Sequence, residues 1–207
     1  MQRELKIEIA SDVICPWCYI GKRRLERALA LLEREVQAEL HWLPFELNPE
    51  MPGTGMPRAA YRRAKFGSVE RSRELDARVA AEGRTVGIEF GFERIERTPN
   101  TRAAHELIEL AQRQGKGAGV VDALFRAYFE QAQDIGDATV LKDIAERQQV
   151  SGWPGQATRQ AVALLEEEVR GLGISAVPTF IFARKLGVSG AHPPESLAQA
   201  IRESLAT

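Results

Sequence analysis

Cys15 and Cys18 are the two cysteines of this 207-residue chain, separated by Pro16 and Trp17. Such a pair could be a disulfide strut, part of a metal site, a redox couple, or two small buried apolar residues. A strut explains little, because closing so short a loop removes little entropy from the unfolded chain. A structural zinc site needs four ligands, usually from a second Cys or His pair at short spacing. His41, His105 and His192 are scattered and no further cysteine exists, so no metal is expected. Pro and Trp between the thiols, at the junction of two elements, argue against incidental core residues. Redox chemistry remains.

The flanking elements give that chemistry its direction. Leu5, Ile7 and Ile9 alternate with Lys6, Glu8 and Ala10, which is strand periodicity. After the pair, Leu25, Ala28, Leu29, Leu32 and Val36 recur at helical spacing. The cysteines therefore sit where a strand turns into a helix, with Cys15 at the N-cap and Pro16 at the first helical position. Unpaired N–H groups and the positive end of the helix dipole favour a thiolate at Cys15. Cys18, one turn deeper, is the more shielded. Cys15 is then the nucleophile, and Cys18 resolves the mixed disulfide by attacking it.

Composition sets the frame. Hydrophobic residues are 44% and charged residues 28%, as in an ordinary globular domain able to bury its own core. A formal net charge of -1 offers no global field for nucleic acid or an anionic membrane, and neither is expected as a partner. No apolar run reaches membrane-spanning length, and the first residues lack a secretory pattern. A cytoplasmic location is the expectation, and structural disulfides are rare there.

Further along, Leu40–Leu47 reads as a second strand, with Pro44 marking an edge or an end. From about residue 57 to 172 the chain reads as almost wholly helical. Asp137 is a candidate cap, and Ala157, Ala161, Leu164, Leu165 and Val169 form the apolar stripe of the last of these helices. Residues 177–183 and 186–190 read as a hairpin turning at Arg184-Lys185, and Pro193-Pro194 opens a final helix. The expected architecture is α/β: residues 1–52 and 173–207 form one discontinuous unit around a helical insertion, 53–172. The last helix of the insertion is a candidate member of the α/β unit. Residues 58–84 hold eight basic and four acidic side chains, read as solvated helix faces, with an anionic partner as the alternative. Glu166-Glu167-Glu168 is read as exposed.

"DVICPWCYIGKRRLERAL", "FELNP", "RTPNT", "LFRAYF", "DIGD", "VPTFIF" and "VSGAHPPE" together resemble the DsbA family of the thioredoxin superfamily, and within it the FrnE-type branch. The resemblance spans nearly the whole chain. It implies a thioredoxin-like fold interrupted by a large all-helical insertion, with Pro178 in the cis form facing the cysteines. Pro16, Trp17, Val177 and Pro178 would then shape the substrate groove, the Val177 backbone pairing with an extended peptide or with glutathione. His192 becomes a possible further site residue, with a surface role as the plainer reading. In thioredoxin and DsbA an acid lies six positions before the first cysteine. Here that position is Ile9, which leaves the proton acceptor of Cys18 open, with Glu8 and Asp12 nearby.

The implied function is thiol–disulfide exchange or isomerisation on protein thiols or glutathione. It needs no cofactor beyond the Cys15–Cys18 couple, and glutathione is a possible co-substrate. The recycling partner and the choice between monomer and homodimer stay open. Two alternatives share the layout: a glutathione-dependent isomerase or transferase of the 2-hydroxychromene-2-carboxylate isomerase or kappa class, whose members carry Ser where Cys15 stands, and a peptide-binding, chaperone-like module.

Overall fold

The computed structural model describes residues 2–206, with the backbone alone at 156 and 157. Strand β1 (Arg3–Ser11) leads into helix α1 (Pro16–Leu31), and β2 (Val36–Pro44) returns parallel to β1. The chain then leaves the sheet through β3 (Met56–Pro57), α2 (Arg58–Phe66), α3 (Val69–Thr85), β4 (Arg97–Thr98), α4 (Arg102–Gln112), α5 (Gly117–Phe125), α6 (Ala138–Arg147) and α7 (Gln156–Gly171). It re-enters with β5 (Thr179–Phe182), β6 (Leu186–Ser189) and α8 (Pro194–Ala206). The sheet order is β2-β1-β5-β6, with β5 antiparallel to β1 and to β6. This is the expected α/β fold with a helical insertion.

The alternation in β1 sorts the two faces. Leu5, Ile7 and Ile9, with Phe180 and Phe182 opposite, join one large core with α1, α8, α4 and α5. Ala10, Leu43, Phe45 and Val169 form a second, smaller cluster beneath α7 on the other face. The edge strand β2 is closed by a side chain of the insertion: the Gln112 amide donates to the Trp42 carbonyl at 3.0 Å and accepts the Trp42 N–H at 2.5 Å. Pro44 ends this edge strand, where a missing N–H is tolerated.

Four readings need correction. Val36 belongs to β2, and that strand runs 36–44 rather than 40–47; the polar edge residues Gln37 and Glu39 hide its alternation. The insertion is not all helical, because Met56 and Pro57 pair with Thr98 and Arg97. A two-residue ladder has no periodicity to read. In α7, Leu164 is exposed, and the buried positions are Thr158, Val162, Glu166 and Val169; the side chain of Ala157 lies outside the described residues. Glu166 is therefore buried, not part of an exposed acidic face.

The buried acid has a purpose visible in its partners. Glu166 accepts the Glu46 backbone N–H at 3.0 Å and the Arg170 guanidinium at 2.9 Å. Arg102 donates to Glu46 at 2.6 Å, and Arg170 also donates to the Glu46 carbonyl at 2.7 Å. The cluster ties the end of β2 to α4 and α7. Burial, and then the neighbouring Glu166 carboxylate, push the Glu46 carboxyl up to about 7. Because its folded value is raised, Glu46 stabilises the fold fully at pH below its unfolded value and loses that contribution as pH rises through about 7. Thermal melts of Glu46→Gln should therefore be flatter between about pH 5 and 8 than those of the wild type. Equal slopes in that window would contradict the assignment.

Candidate active site

Cys15 is the N-cap of α1, with extended backbone at φ -90° and ψ 112°, and Pro16 fills the first turn. The Cys18 and Tyr19 amides both point back to the Cys15 carbonyl, at 3.0 and 3.4 Å. Both thiols are free, and they differ in access: Cys15 is 6% exposed and Cys18 1%. Burial, then the neighbouring Cys15, push the Cys18 thiol well up, against smaller opposing contributions from the Asp12 backbone and the Ser11 side chain. Cys18 is thus held as a thiol next to a slightly more accessible partner.

The Val177–Pro178 peptide is cis, and the Cys15 thiol donates to the Val177 carbonyl at 3.7 Å. Val177 is half-buried, Pro178 buried, and Trp17 exposed at 39%. The cis Val177–Pro178 loop therefore lies against Cys15, whose chain neighbours are Pro16 and Trp17. His192 does not join them: its ring lies on the exposed side, 2.9 Å from the Ser189 carbonyl. Glu8 also faces away. Burial raises its carboxyl, but the bidentate Arg184 and then Lys6 outweigh that and hold it below the usual range. Asp12, by contrast, lies fully buried at the foot of the motif. Its carbonyl accepts the Cys15 N–H at 3.0 Å and its carboxylate accepts the Leu47 N–H at 2.7 Å.

Gly21 is a site residue that a reading for chemistry overlooks. A Cβ there would lie 2.9 Å from the Pro178 ring and 3.2 Å from Phe180, so the glycine lets α1 pack directly on the cis-proline loop. Its signal in the sequence is a glycine inside a helical pattern, which costs helix stability unless close packing requires it.

On the insertion side, Cys15 and Trp17 open onto a cavity of about 430 Å³ whose far walls include Arg62, Lys65, Val79 and Phe92. Phe92, Tyr128 and Phe129 line its apolar side and belong to an aromatic seam that continues behind the cavity. Tyr19 stacks on Phe125 at 4.9 Å, Phe90 on Phe92 at 4.6 Å, and the Tyr19 hydroxyl donates to Glu130 at 2.6 Å. Burial first, then Glu130, push the Tyr19 phenol up to about 12. Four cations, Arg58, Arg62, Lys65 and Arg78, line the cavity with one acid, Asp76. Arg58 and Arg62 are both bound to Asp76, at 2.9 and 2.5 Å, whereas Arg78 is exposed. The basic stretch read as a solvated face is therefore partly a cavity wall. Among the described residues, no group of three His, Cys, Asp or Glu is placed to hold a metal ion, and no helix is long and apolar enough to cross a membrane.

A family model described as "DSBA-like thioredoxin domain" matches residues 6–202. The chain is 28% identical to the uncharacterized protein YwbO of Bacillus subtilis, covering 95% of this chain and 96% of that one. A crystal structure of a probable DsbA oxidoreductase from Streptomyces coelicolor superposes with a TM-score of 0.89 at 29% identity, covering 98% of this chain and 90% of that one. The cytosolic disulfide reductase DsbM of Pseudomonas aeruginosa, in its structure with glutathione, superposes with a TM-score of 0.68 at 16% identity, covering 98% of this chain and all, 100%, of that one. The last likeness is one of fold.

Gly21→Ala should displace Pro178 from α1. We expect a loss of about 1–3 kcal/mol from overpacking, partly offset by better helix propensity, and slower thiol exchange at Cys15. Chemical denaturation and alkylation kinetics check this; unchanged stability and unchanged Cys15 reactivity would show that the contact has no such role.

Proposed function

The chain belongs to the DSBA-like thioredoxin domain family, and on that footing we propose that it is a thiol–disulfide oxidoreductase working through the Cys15–Cys18 couple. The observation that carries this reading is the unequal access of two free thiols on one helix turn. Both are buried, but Cys15, at the helix N-terminus, lines the cavity, and Cys18, one turn on, does not. In the reducing direction the Cys15 thiolate attacks a substrate disulfide, forms a mixed disulfide and expels one thiolate. Cys18 then attacks Cys15, which releases the second thiolate and leaves the Cys15–Cys18 disulfide. The Val177 carbonyl, already facing Cys15, is the backbone group on which an extended substrate would align.

The cavity points to the substrate class. Its size suits a small ligand, its floor is apolar, and its cations outnumber its acid. A small acidic disulfide fits this wall, and glutathione disulfide is the natural candidate, since a fold neighbour is seen with glutathione. A cytoplasmic setting, with a reductase role, is part of the same proposal. A glutathione-dependent isomerase would have no use for a buried second thiol behind its nucleophile, and a peptide-binding module would need neither cysteine.

The first test is the reduction potential against a glutathione buffer, with thiol counts. We expect reversible loss of both thiols, at a potential between about -270 mV and about -120 mV, the values of thioredoxin and DsbA. Cys15→Ser should abolish exchange, and Cys18→Ser should accumulate a mixed disulfide on Cys15. Failure to form a disulfide, or full activity in Cys15→Ser, would sink the redox reading. A second test addresses the cations. Lys65→Glu with Arg78→Glu should raise KM for glutathione disulfide by about tenfold, roughly 1.4 kcal/mol, and leave KM for an uncharged disulfide within twofold. Equal effects on both would refute the anionic preference.

A further inference from the structure

Cys18 must shed a proton before it can attack, yet it is 1% exposed and burial favours its thiol form. A proton acceptor must be reachable inside the fold. The Ser11 hydroxyl is buried without a hydrogen-bond partner and favours the thiolate form of Cys18. Ser11 also lines a small cavity of about 10 Å³, between β1, β2 and α4. Two more residues on that cavity carry buried polar atoms without a hydrogen-bond partner: Nε2 of His105 and Nε1 of Trp42. Three orphaned polar groups around a space the size of one water are costly unless they share a bridging molecule.

His105 comes from the helical insertion, is 4% exposed, and holds Nε2 3.5 Å from Oδ1 of Asp12. Asp12 is the residue whose carbonyl fixes the Cys15 amide. A buried histidine that lines the same small cavity as Ser11 and holds Nε2 beside a buried carboxylate is an acid–base pair on the Ser11 side of Cys18.

We propose that His105, paired with Asp12, receives the Cys18 proton through Ser11 and one water in this cavity, and returns it when the couple is reduced. This rests on the exchange reading above. In the resolving step the Cys18 S–H proton moves by way of the Ser11 hydroxyl and the water to His105. The Cys18 electron pair forms the S–S bond to Cys15, and the Cys15–substrate S–S bond breaks with its electron pair leaving on the substrate thiolate. The substrate disulfide is the oxidant. The imidazolium so formed lies against the Asp12 carboxylate, so the pair gains no unbalanced positive charge in a buried site. The other titratable groups facing the pair are Glu109, which lines the same cavity from α4, and Tyr128, whose phenol is held protonated by burial and interacts with Asp12. Arg102, on the same helix as His105, is engaged by Glu46 and Glu166. His105 acts through Ser11 and is a positioning and relay residue, not one that touches the reacting sulfur.

The test uses the reduced full-length protein and 5,5′-dithiobis(2-nitrobenzoic acid), which releases one coloured thiolate on attack by Cys15 and a second on resolution by Cys18. His105→Gln keeps a polar, neutral side chain. In this variant the second release should slow by about 100-fold near neutral pH, in the range of general-base effects. The first release should stay within about threefold. Its pH profile should shift so that the second release recovers in alkali, where hydroxide reaches the thiol directly. Ser11→Ala should show the same selective slowing, and carries the test alone if His105→Gln does not fold, as judged by circular dichroism. A second release unchanged in rate and pH profile in the folded variants would overturn the relay. Wild-type protein that releases no second thiolate would instead overturn the exchange reading, and the relay with it.

Discussion

The junction between β1 and α1 is the constraint on which the rest depends, and Asp12 holds it. One buried residue accepts the Cys15 amide on its carbonyl, the Leu47 amide on its carboxylate, and lies 3.5 Å from His105. It thereby ties the first turn of α1 to the chain leaving β2 and to the first helix packed on β2. A buried carboxylate persists only where such partners offset its lost hydration. Here the partners are the groups whose positions define the thiol site, so the stability of the junction and the geometry of Cys15 are one problem.

From that fixed point the molecule builds outward on two sides. Toward the cis-proline loop, Gly21 removes the side chain that would separate α1 from Pro178, and the Val177 carbonyl comes to face Cys15. Toward the insertion, Tyr19 enters the aromatic seam with Phe125 and Phe129. Arg24 adds a second tie, reaching the Ala191 carbonyl and Glu82 of α3, each at 2.5 Å. The helix bearing the cysteines is thus clamped from both sides along its first three turns. Rigid placement of this kind keeps Cys18 beneath Cys15 instead of letting both thiols reach solvent.

Helix α2 is a contrast. It buries none of its residues, and Arg58 and Arg62 hold it to Asp76 and Ser72 of α3. Polar and cation–π contacts, with Arg58 over the Phe92 ring at 5.5 Å, fasten this wall of the cavity in place of a buried apolar face. The apolar seam and the cationic wall divide the labour: one sets the position of the thiols and the other lines the cavity with positive charge.

Much of this was legible in the chain. Alternation in Leu5–Ile9, the Cys-Pro-Trp-Cys turn, the cap at Asp137 and the hairpin at 179–189 depend on local spacing, and local spacing is what sequence records. The β3–β4 ladder, the early start of β2 and the buried face of α7 were not legible. Each depends on a partner distant in the chain: Arg97 and Thr98 for β3, Arg3 for Val36, and Glu46 with Arg170 for Glu166. Glu166 reads as surface because a carboxylate normally is, and only the assembled cluster makes its burial affordable. By itself, then, the sequence determined the cysteine pair, its place at a helix N-terminus and the order of elements around it, since all three follow from neighbours within a few residues. Tertiary structure alone decided which basic residues face the thiol cavity, that Gly21 receives Pro178, and that Asp12 and His105 meet, because those encounters join segments up to about 160 residues apart and are set by how the layers pack.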